Sequence, residues 1–241
     1  MGLELVLVRH GVTDWNTRRV LQGHSNVPLS EEGHRQADLL GRYAVTLPPP
    51  DLLYSSDLAR ARETAEYLAR VWNLPLNLTS ELRERGFGDY EGRDWDEVQA
   101  ELHQQAITAE LDDQRFCPPG GESRELVEKR LLQFMGRLLK QHQGQRVWVV
   151  SHGGIIRNVL RRLVRNDADH LSSGFHIPNT SISTLRLDER GWRAVSLVAV
   201  PHLLRPQDHT QETRVEALLQ ALLERSNDES AVLEVEGKNR K

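Results

Sequence analysis

The chain has 241 residues, with 31 Lys and Arg against 35 Asp and Glu, so its formal net charge is −4. This length can bury a sizeable core in one large α/β domain or two small ones, while the acidic balance gives no general attraction to nucleic acid or to an anionic membrane. The single cysteine, Cys117, excludes an internal disulfide framework and fits a reducing cytoplasm, and no apolar run reaches the roughly 18 residues of a membrane helix, so we expect a soluble, unexported protein without nucleic-acid or membrane partners.

Strands and helices alternate along the first part of the chain. Residues 3–8 form a short apolar run with one charge, which is typical of a strand buried on both faces of a sheet. Apolar residues at helical spacing, the acids after Ser30 and the prolines at 48–50 define the helix that follows. The predicted elements up to residue 82 are a strand at 3–8, a helix at 30–47, a strand at 52–56, a helix at 57–72 and an extended segment at 74–82.

The second part of the chain continues the alternation and closes with a hairpin. Its predicted elements are a helix and an irregular stretch within 94–119, a helix at 122–142, a strand at 146–151, a helix at 155–164 and two strands at 181–187 and 193–200. This order predicts an α/β fold of three layers, α/β/α, with a mostly parallel central sheet and an antiparallel edge strand. We expect one domain over 1–206, with an insertion at 85–120 that covers a site, and a C-terminal helix and polar tail over 207–241. For that helix, docking on the domain is favoured over a contact between copies of the chain, so a homo-oligomer is left open.

Two of the predicted strands end at a histidine. His10 follows the first strand and His152 follows the strand at 146–151, so parallel strands would bring both imidazoles to one edge of the sheet, where open α/β sheets bind ligands. Arg9 precedes the first histidine, and Arg60 lies in the first turn of the helix after the second strand. Two guanidinium groups, two imidazoles and the N–H groups of helix N-termini describe a site for a dianion.

Four motifs follow one another along the chain: RHGVTDWN at 9–16, SSDLARARETA at 55–65, LRERGFGDYEG at 82–92 and SHGG at 151–154. In this order and spacing they resemble the histidine phosphatase superfamily, also called the phosphoglycerate mutase-like family. The resemblance covers residues 3–187. It implies a phosphoglycerate mutase-like fold and a reaction that needs neither a metal nor another cofactor.

The resemblance implies that His10 is a nucleophile that attacks phosphorus and becomes a phosphohistidine. An imidazole suits this chemistry, because the nearby cations Arg9 and Arg60 disfavour protonation of the ring and hold the phosphoryl oxygens. His152 resembles the family's phosphate-contacting histidine. The further phosphate- or substrate-binding residues that the resemblance implies are Asn16, Gln22, Gly23 and Gly153. From the backbone alone, Gly11 is expected to let the chain turn and come close to a bound group.

Glu84 stands at the position of the family's general acid, within LRERGFGDYEG. The leaving alkoxide of a phosphomonoester is strongly basic, so a carboxylic acid that protonates it, and then activates the water that hydrolyses phosphohistidine, speeds both steps. From the residues alone, Glu81, Asp89 and Glu91 compete for this role, and each can equally be a solvated loop charge.

Several other residues receive structural interpretations. Arg157, Arg161 and Arg165 recur at helical spacing and are interpreted as a solvated helix face rather than a basic patch. The remaining histidines show no paired metal-ligand spacing, so no metal site is expected. Three residues that either line the mouth of the pocket or pack in the core or on the surface are Trp95, Phe116 and His176.

Three functions are compatible with such a site: a phosphatase that passes the phosphoryl group to water, a phosphoglycerate mutase that returns it to substrate, and a phosphate-binding module without turnover. The presence of both nucleophile and acid argues against the last. Only 35 residues separate Glu84 from Gly120, fewer than in the mutases of the family, and RGFGDYEG resembles the phosphatase branch. We therefore expect a metal-independent hydrolase, a phosphatase that cleaves small phosphorylated metabolites through a phosphohistidine.

Overall fold

The computed structural model describes residues 2–108, 115–164 and 176–204. Within them the chain forms six strands and six α-helices in alternation. The strands are β1 (Glu4–Arg9), β2 (Leu52–Ser56), β3 (Leu76–Thr79), β4 (Arg146–Ser151), β5 (Ile182–Asp188) and β6 (Gly191–Ala199). The helices are α1 (Asp14–Thr17), α2 (Glu31–Ala44), α3 (Ala59–Trp72), α4 (Trp95–Thr108), α5 (Arg124–Gln141) and α6 (Gly153–Leu163).

The strands form one sheet in the order β3-β2-β4-β1-β5-β6. The first four strands in this order are parallel to one another, whereas β5 is antiparallel to both β1 and β6 and forms the predicted hairpin with β6. β1 and β4 lie side by side at the centre of the sheet, with Arg9 opposite Ser151. The predicted α/β architecture is therefore confirmed, and the two histidine-ending strands are direct neighbours.

Helices cover both faces of the sheet, because successive residues of a strand point to opposite faces. One core cluster joins α5 and α6 to residues of β1 and β4 that share a face, namely Leu5, Leu7, Val147 and Val149. A second cluster joins α2 and α3 to the alternate residues of β1 and β4, which point to the opposite face of the sheet, namely Val6, Val8, Trp148 and Val150. Since both faces are buried, these strands are apolar throughout, as the sequence predicted.

Most element boundaries agree with the prediction, and three differ for local reasons. A short helix, α1, lies between β1 and α2, where no helix is predicted, because Thr13 and Asn16 form a reciprocal capping box at its start. α3 begins at Ala59 rather than at 57, since Leu58 is extended at the N-cap position. α6 begins at Gly153 rather than at 155, directly after His152. The last difference places the glycines of SHGG in the first helical turn.

The insertion predicted at 85–120 contains α4, and it packs with Leu21 around a small core. This core consists of Leu21, Phe87, Tyr90, Val98 and Phe116. Phe116 therefore packs inside the insertion rather than at the mouth of the pocket. The C-terminal segment 207–241 and Arg165 lie outside the described residues. None of the helices within the described ranges is long and apolar enough to cross a membrane.

Candidate active site

The carboxyl ends of β1 and β4 bring His10 and His152 together. The backbone N–H of His10 donates to the Ser151 carbonyl at 3.0 Å, which fixes the two strand ends in register. The imidazole centroids are 5.1 Å apart, and both rings are buried, with 3% and 1% of their surface exposed. The rings lie at the base of a cavity of about 810 Å³ that is also lined by Arg9, Arg60 and Glu84.

The surroundings of His10 keep its imidazole neutral and fix its tautomer. Burial, then Arg60 and Arg9, hold the pKa of His10 well below 6.5. Nδ1 lies 2.7 Å from the Gly11 carbonyl, an acceptor only, so Nδ1 carries the proton and donates it. Nε2 is therefore the unprotonated nitrogen, with a lone pair available for attack on an electrophile.

Arg60 is almost completely buried, with 1% of its surface exposed, and it connects three parts of the site. Its Nη1 and Nη2 donate to the carbonyls of Ser25 and Gly23 at 2.9 and 2.8 Å, and Nε donates to His152 Nδ1 at 3.2 Å. Burial lowers the pKa of Arg60 to about 10, partly offset by Glu84 and Glu91, so the guanidinium stays charged at neutral pH.

His152 makes hydrogen bonds with protein groups through both ring nitrogens. Because Nδ1 accepts from Arg60, Nε2 carries the proton and donates to Ser56 Oγ at 2.9 Å. Burial and the nearby Arg60 hold the pKa of His152 well below 6.5. In this conformation His152 orients Arg60, and its predicted direct contact with phosphate stays a prediction.

Arg9 presents a buried donor at the base of the cavity. Its Nη1 donates to the Ile177 carbonyl, whereas Nε is buried and has no hydrogen-bond partner among the described residues. Burial lowers the pKa of Arg9 to about 10, with Glu84 acting in the opposite direction, so this group also remains a cation. A buried N–H without an acceptor is costly, and an anionic oxygen in the cavity would satisfy it.

Glu84 holds its carboxylate over the start of α6. Its Oε2 accepts from the Gly154 N–H at 2.9 Å, and its Oε1 accepts from the Arg85 N–H at 3.0 Å. The side chain lines the same cavity as His10. A carboxyl group beside the nucleophile is placed to exchange a proton with a leaving group or with water.

The three competing carboxylates are occupied elsewhere. Glu81 forms an ion pair with Arg137, and Asp89 is exposed. Glu91 accepts from the backbone N–H groups of His24 and Ser25 at 2.8 and 2.7 Å, so it holds the loop next to Gly23. Among the described residues, Glu84 is the only one of the four predicted candidates that lines the cavity.

The other predicted binding residues also line the cavity: Asn16, Gln22, Gly23 and Gly153. Asn16 Oδ1 accepts from the N–H and the hydroxyl of Thr13, both at 3.1 Å, so the amide group is held in one orientation. Gly23 has a φ of 48°, and a Cβ there would lie 2.1 Å from Glu91 Oε1. The structure thus places every predicted site residue in one cavity, without testing their roles.

Three residues that support the site were missed from the sequence. Arg130 on α5 donates to the carbonyls of Glu81, Arg83 and Glu84 at 2.8, 2.7 and 2.9 Å. Glu122 pairs with Arg130 at 2.9 Å, and Asn179 Nδ2 donates to the His10 carbonyl at 2.9 Å. No motif marks these residues, because their partners are fixed only by how α5 and the segment before β5 pack.

Two interpretations from the sequence are corrected. Gly11 is needed because a Cβ would lie 2.7 Å from the Gly33 carbonyl of α2, so its role is helix packing rather than approach to a ligand. Arg157 and Arg161 line the cavity and do not form a purely solvated helix face. Trp95 and His176 line the cavity, which is one of the two alternatives that the sequence left open for each of them.

A metal centre would need several oxygen, nitrogen or sulfur ligands in one place. Within residues 2–108, 115–164 and 176–204, no group of three or more His, Cys, Asp and Glu side chains is arranged to hold a metal ion. Apart from Glu84, the charged groups beside His10 are the guanidinium groups of Arg9 and Arg60, which bind anions.

Comparison with known proteins identifies relatives of the whole domain. A model of the histidine phosphatase superfamily (branch 1) matches residues 5–200. The chain is 34% identical over 203 residues to a metal-independent phosphoserine phosphatase of Arabidopsis thaliana, covering 83% of each chain. It is 35% identical over 204 residues to phosphoglycerate mutase-like protein 4 of the same species, covering 83% of this chain and 86% of the relative. A crystal structure of a phosphoserine phosphatase mutant from Entamoeba histolytica, in complex with phosphoserine, is similar with a TM-score of 0.70 at 27% identity, covering 84% of this chain and 100% of that one.

Proposed function

We propose that His10 is the nucleophile and Glu84 the proton donor of this chain, which belongs to the histidine phosphatase superfamily. It is a metal-independent phosphatase that hydrolyses phosphomonoesters through a phosphohistidine. The observation that carries this assignment is the buried imidazole of His10, which directs Nδ1 to the Gly11 carbonyl and lines one cavity with Arg9, Arg60 and Glu84. We propose small phosphorylated metabolites as the substrates, since a related structure holds phosphoserine.

In the first step, Nε2 of His10 attacks phosphorus and the ester P–O bond breaks. The guanidinium groups of Arg9 and Arg60 neutralise the charge on the equatorial phosphoryl oxygens, which is the main form of catalysis in phosphoryl transfer. The leaving alkoxide takes the proton of the Glu84 carboxyl group and departs as an alcohol. The phosphoryl group remains on Nε2, while Nδ1 keeps its proton and donates it in a hydrogen bond to the Gly11 carbonyl.

In the second step, water hydrolyses the phosphohistidine. The Glu84 carboxylate removes a proton from the water, whose oxygen attacks phosphorus while the P–N bond breaks. Inorganic phosphate leaves, His10 is neutral again, and Glu84 has regained the proton that it gave to the alcohol. Each group therefore returns to its starting state after one turnover.

Replacement of His10 tests this assignment. The variant His10→Ala should lose at least roughly 10³-fold in kcat on p-nitrophenyl phosphate, the order expected when a covalent nucleophile is removed. It should also form no acid-labile phosphoenzyme from ³²P-labelled substrate. His103→Ala, at an exposed position of α4, is the matched control and should keep both properties. Turnover by His10→Ala within tenfold of the wild type would remove His10 as the nucleophile.

A further inference from the structure

The cavity is strongly cationic well beyond the predicted phosphate site. Among the described residues that line it are eight arginines and two glutamates, Glu84 and Glu128. Arg9 and Arg60 lie at its base beside His10. At its rim, Arg19 pairs with Asp96 at 2.7 Å and Arg162 pairs with Glu128. Since the whole chain has a net charge of −4, this excess of cations is a local feature of the cavity.

Three further arginines lie on α5 and α6, two helices that the Glu128–Arg162 ion pair connects. Arg124 is the first residue of α5, and Arg157 and Arg161 are one turn apart on α6. All three line the cavity. We refer to Arg124, Arg157 and Arg161 as the arginine cluster.

The position of the cluster along α6 follows from helix geometry. A Cβ on Gly153 would lie 3.5 Å from Arg9 Nε, so the first turn of α6 borders the phosphate site. Arg157 follows Gly153 by four residues on the same helix face, which places it about 6 Å further along the axis, and Arg161 lies about 6 Å beyond that. Glu84 stands over Gly154, between the phosphate site and Arg157. An alcohol that leaves past Glu84 therefore enters the space in front of the cluster.

Like charges are held together in this cluster at a cost. Arg157 is half-buried, and burial, Arg161 and Arg124 lower its pKa, with Glu84 acting in the opposite direction. Neighbouring cations that repel one another are stabilised by an anion bound between them. The bidentate donors of guanidinium groups fit carboxylates and phosphates.

Resting on the proposed phosphatase function, we infer that the arginine cluster binds a second anionic group of the substrate, near the phosphate ester. The preferred substrates are then phosphomonoesters whose alcohol carries a carboxylate or another anion, rather than neutral or cationic alcohols. This assignment gives the cavity two anion sites with different tasks. Arg9 and Arg60 serve the reacting phosphoryl group, and the arginine cluster selects the alcohol.

A matched pair of substrates tests this inference, because O-phosphoserine and O-phosphoethanolamine differ only in the carboxylate. For the wild-type enzyme, kcat/KM should be higher for O-phosphoserine by about 10- to 100-fold, the value of one or two charge-assisted hydrogen bonds. In Arg157→Gln and in Arg161→Gln the ratio of the two kcat/KM values should fall by about tenfold, and Arg157→Lys should restore part of it. Arg161 is exposed, so its replacement tests the inference even if Arg157→Gln fails to fold.

The control is Arg35→Gln on α2, which removes the same charge from an exposed ion pair with Glu32 and should leave the ratio unchanged. A wild-type ratio near one, or a ratio that neither cluster variant changes, would overturn the inference. Turnover of p-nitrophenyl phosphate with a phosphoenzyme at His10, measured in parallel, separates that result from failure of the proposed function. If the wild type formed no phosphoenzyme and cleaved none of the three esters, the proposed function itself would be wrong.

Discussion

Arg60 is the residue whose burial and charge most directly indicate an anionic ligand for the site. It is 1% exposed, yet it donates hydrogen bonds to two carbonyls and to the ring of His152, and no carboxylate among the described residues forms an ion pair with it. A buried charge without a paired counter-ion costs roughly several kcal/mol even after the surroundings relax. On the proposed function a phosphate dianion would supply the missing charge, so we attribute the burial of Arg60 to ligand binding rather than to stability.

Glu84→Gln removes the proposed proton donor and keeps the size of the side chain, and one of the two backbone N–H groups loses its acceptor. On an alkyl phosphate such as O-phosphoserine, we expect the rate constant of phosphoenzyme formation to fall by about 10²–10⁴-fold, the usual contribution of a general acid. On p-nitrophenyl phosphate the loss should be much smaller, since the nitrophenolate leaves without a proton. Rapid-quench measurement of phosphoenzyme formation with both esters checks this difference.

The control for Glu84→Gln is Glu81→Gln, whose carboxylate pairs with Arg137 outside the cavity. It should show no dependence on the leaving group. Equal losses on the two esters in Glu84→Gln would mean that Glu84 acts by charge or position, and another group would have to supply the proton.

At the scale of elements, α5 supports the acid-bearing segment. Through Arg130 it binds the backbone carbonyls of Glu81, Arg83 and Glu84, and Glu122 accepts from the same guanidinium at 2.9 Å. This segment has little regular structure of its own, so these bonds determine where the Glu84 carboxylate lies. Arg130 is thus a positioning residue and not a catalytic one.

Arg130→Met should lower kcat on alkyl phosphates by about tenfold or more, because an error of about 1 Å in a catalytic group is enough to cost this much. The loss should again be smaller on p-nitrophenyl phosphate, a pattern that a general loss of folding would not produce. Arg137→Met is the matched control on the same helix, since Arg137 pairs with the Glu81 side chain. A uniform loss on both esters would show that Arg130 does not act through Glu84.

The contrast between His10 and Arg130 shows what a sequence reveals and what it does not. His10 and His152 follow strands whose apolar runs are visible in the sequence, and the parallel pairing of β1 and β4 brings them together. Arg130 lies on a predicted helix, but its partners depend on the rotation of α5 against a loop 46 to 49 residues away. The spacing of Arg157 and Arg161 was visible, yet which face of α6 borders the cavity depends on the docking of that helix.

At the scale of the whole molecule, the buried imidazoles of His10 and His152 and the half-buried imidazole of His202 make stability depend on pH. Burial holds the pKa values of His10 and His152 well below 6.5 and lowers the pKa of His202 to about 4. Nδ1 of His202 is buried without a partner among the described residues, so a proton there would lack an acceptor. As the pH falls below about 6.5, the unfolded chain binds protons that the folded chain refuses, and the free energy of unfolding decreases.

For His202 alone, whose ring is partly exposed, this loss between pH 6.5 and 4 should be on the order of 1–2 kcal/mol. Urea unfolding of wild type and His202→Gln at several pH values isolates it, since both proteins share all other titrating groups. Glutamine can still donate to Thr180 Oγ1, which His202 Nε2 contacts at 2.9 Å, and it has no proton to gain. The stability difference between the two proteins should change with pH in the stated direction; a constant difference would contradict a lowered pKa for His202.

The position of β1 in the sheet has a consequence for how the enzyme is made. β1 is synthesised before β4 and β5, but these two strands are its neighbours in the sheet. Glu4 pairs with Arg146 on one side and with Arg186 on the other. Pairings so distant in sequence form late and slowly, because long loops must close before any contact is gained. A growing chain therefore carries the proposed nucleophile, His10, before the strands that complete its site. We expect phosphoryl transfer to begin only once β4 and β5 have paired with β1.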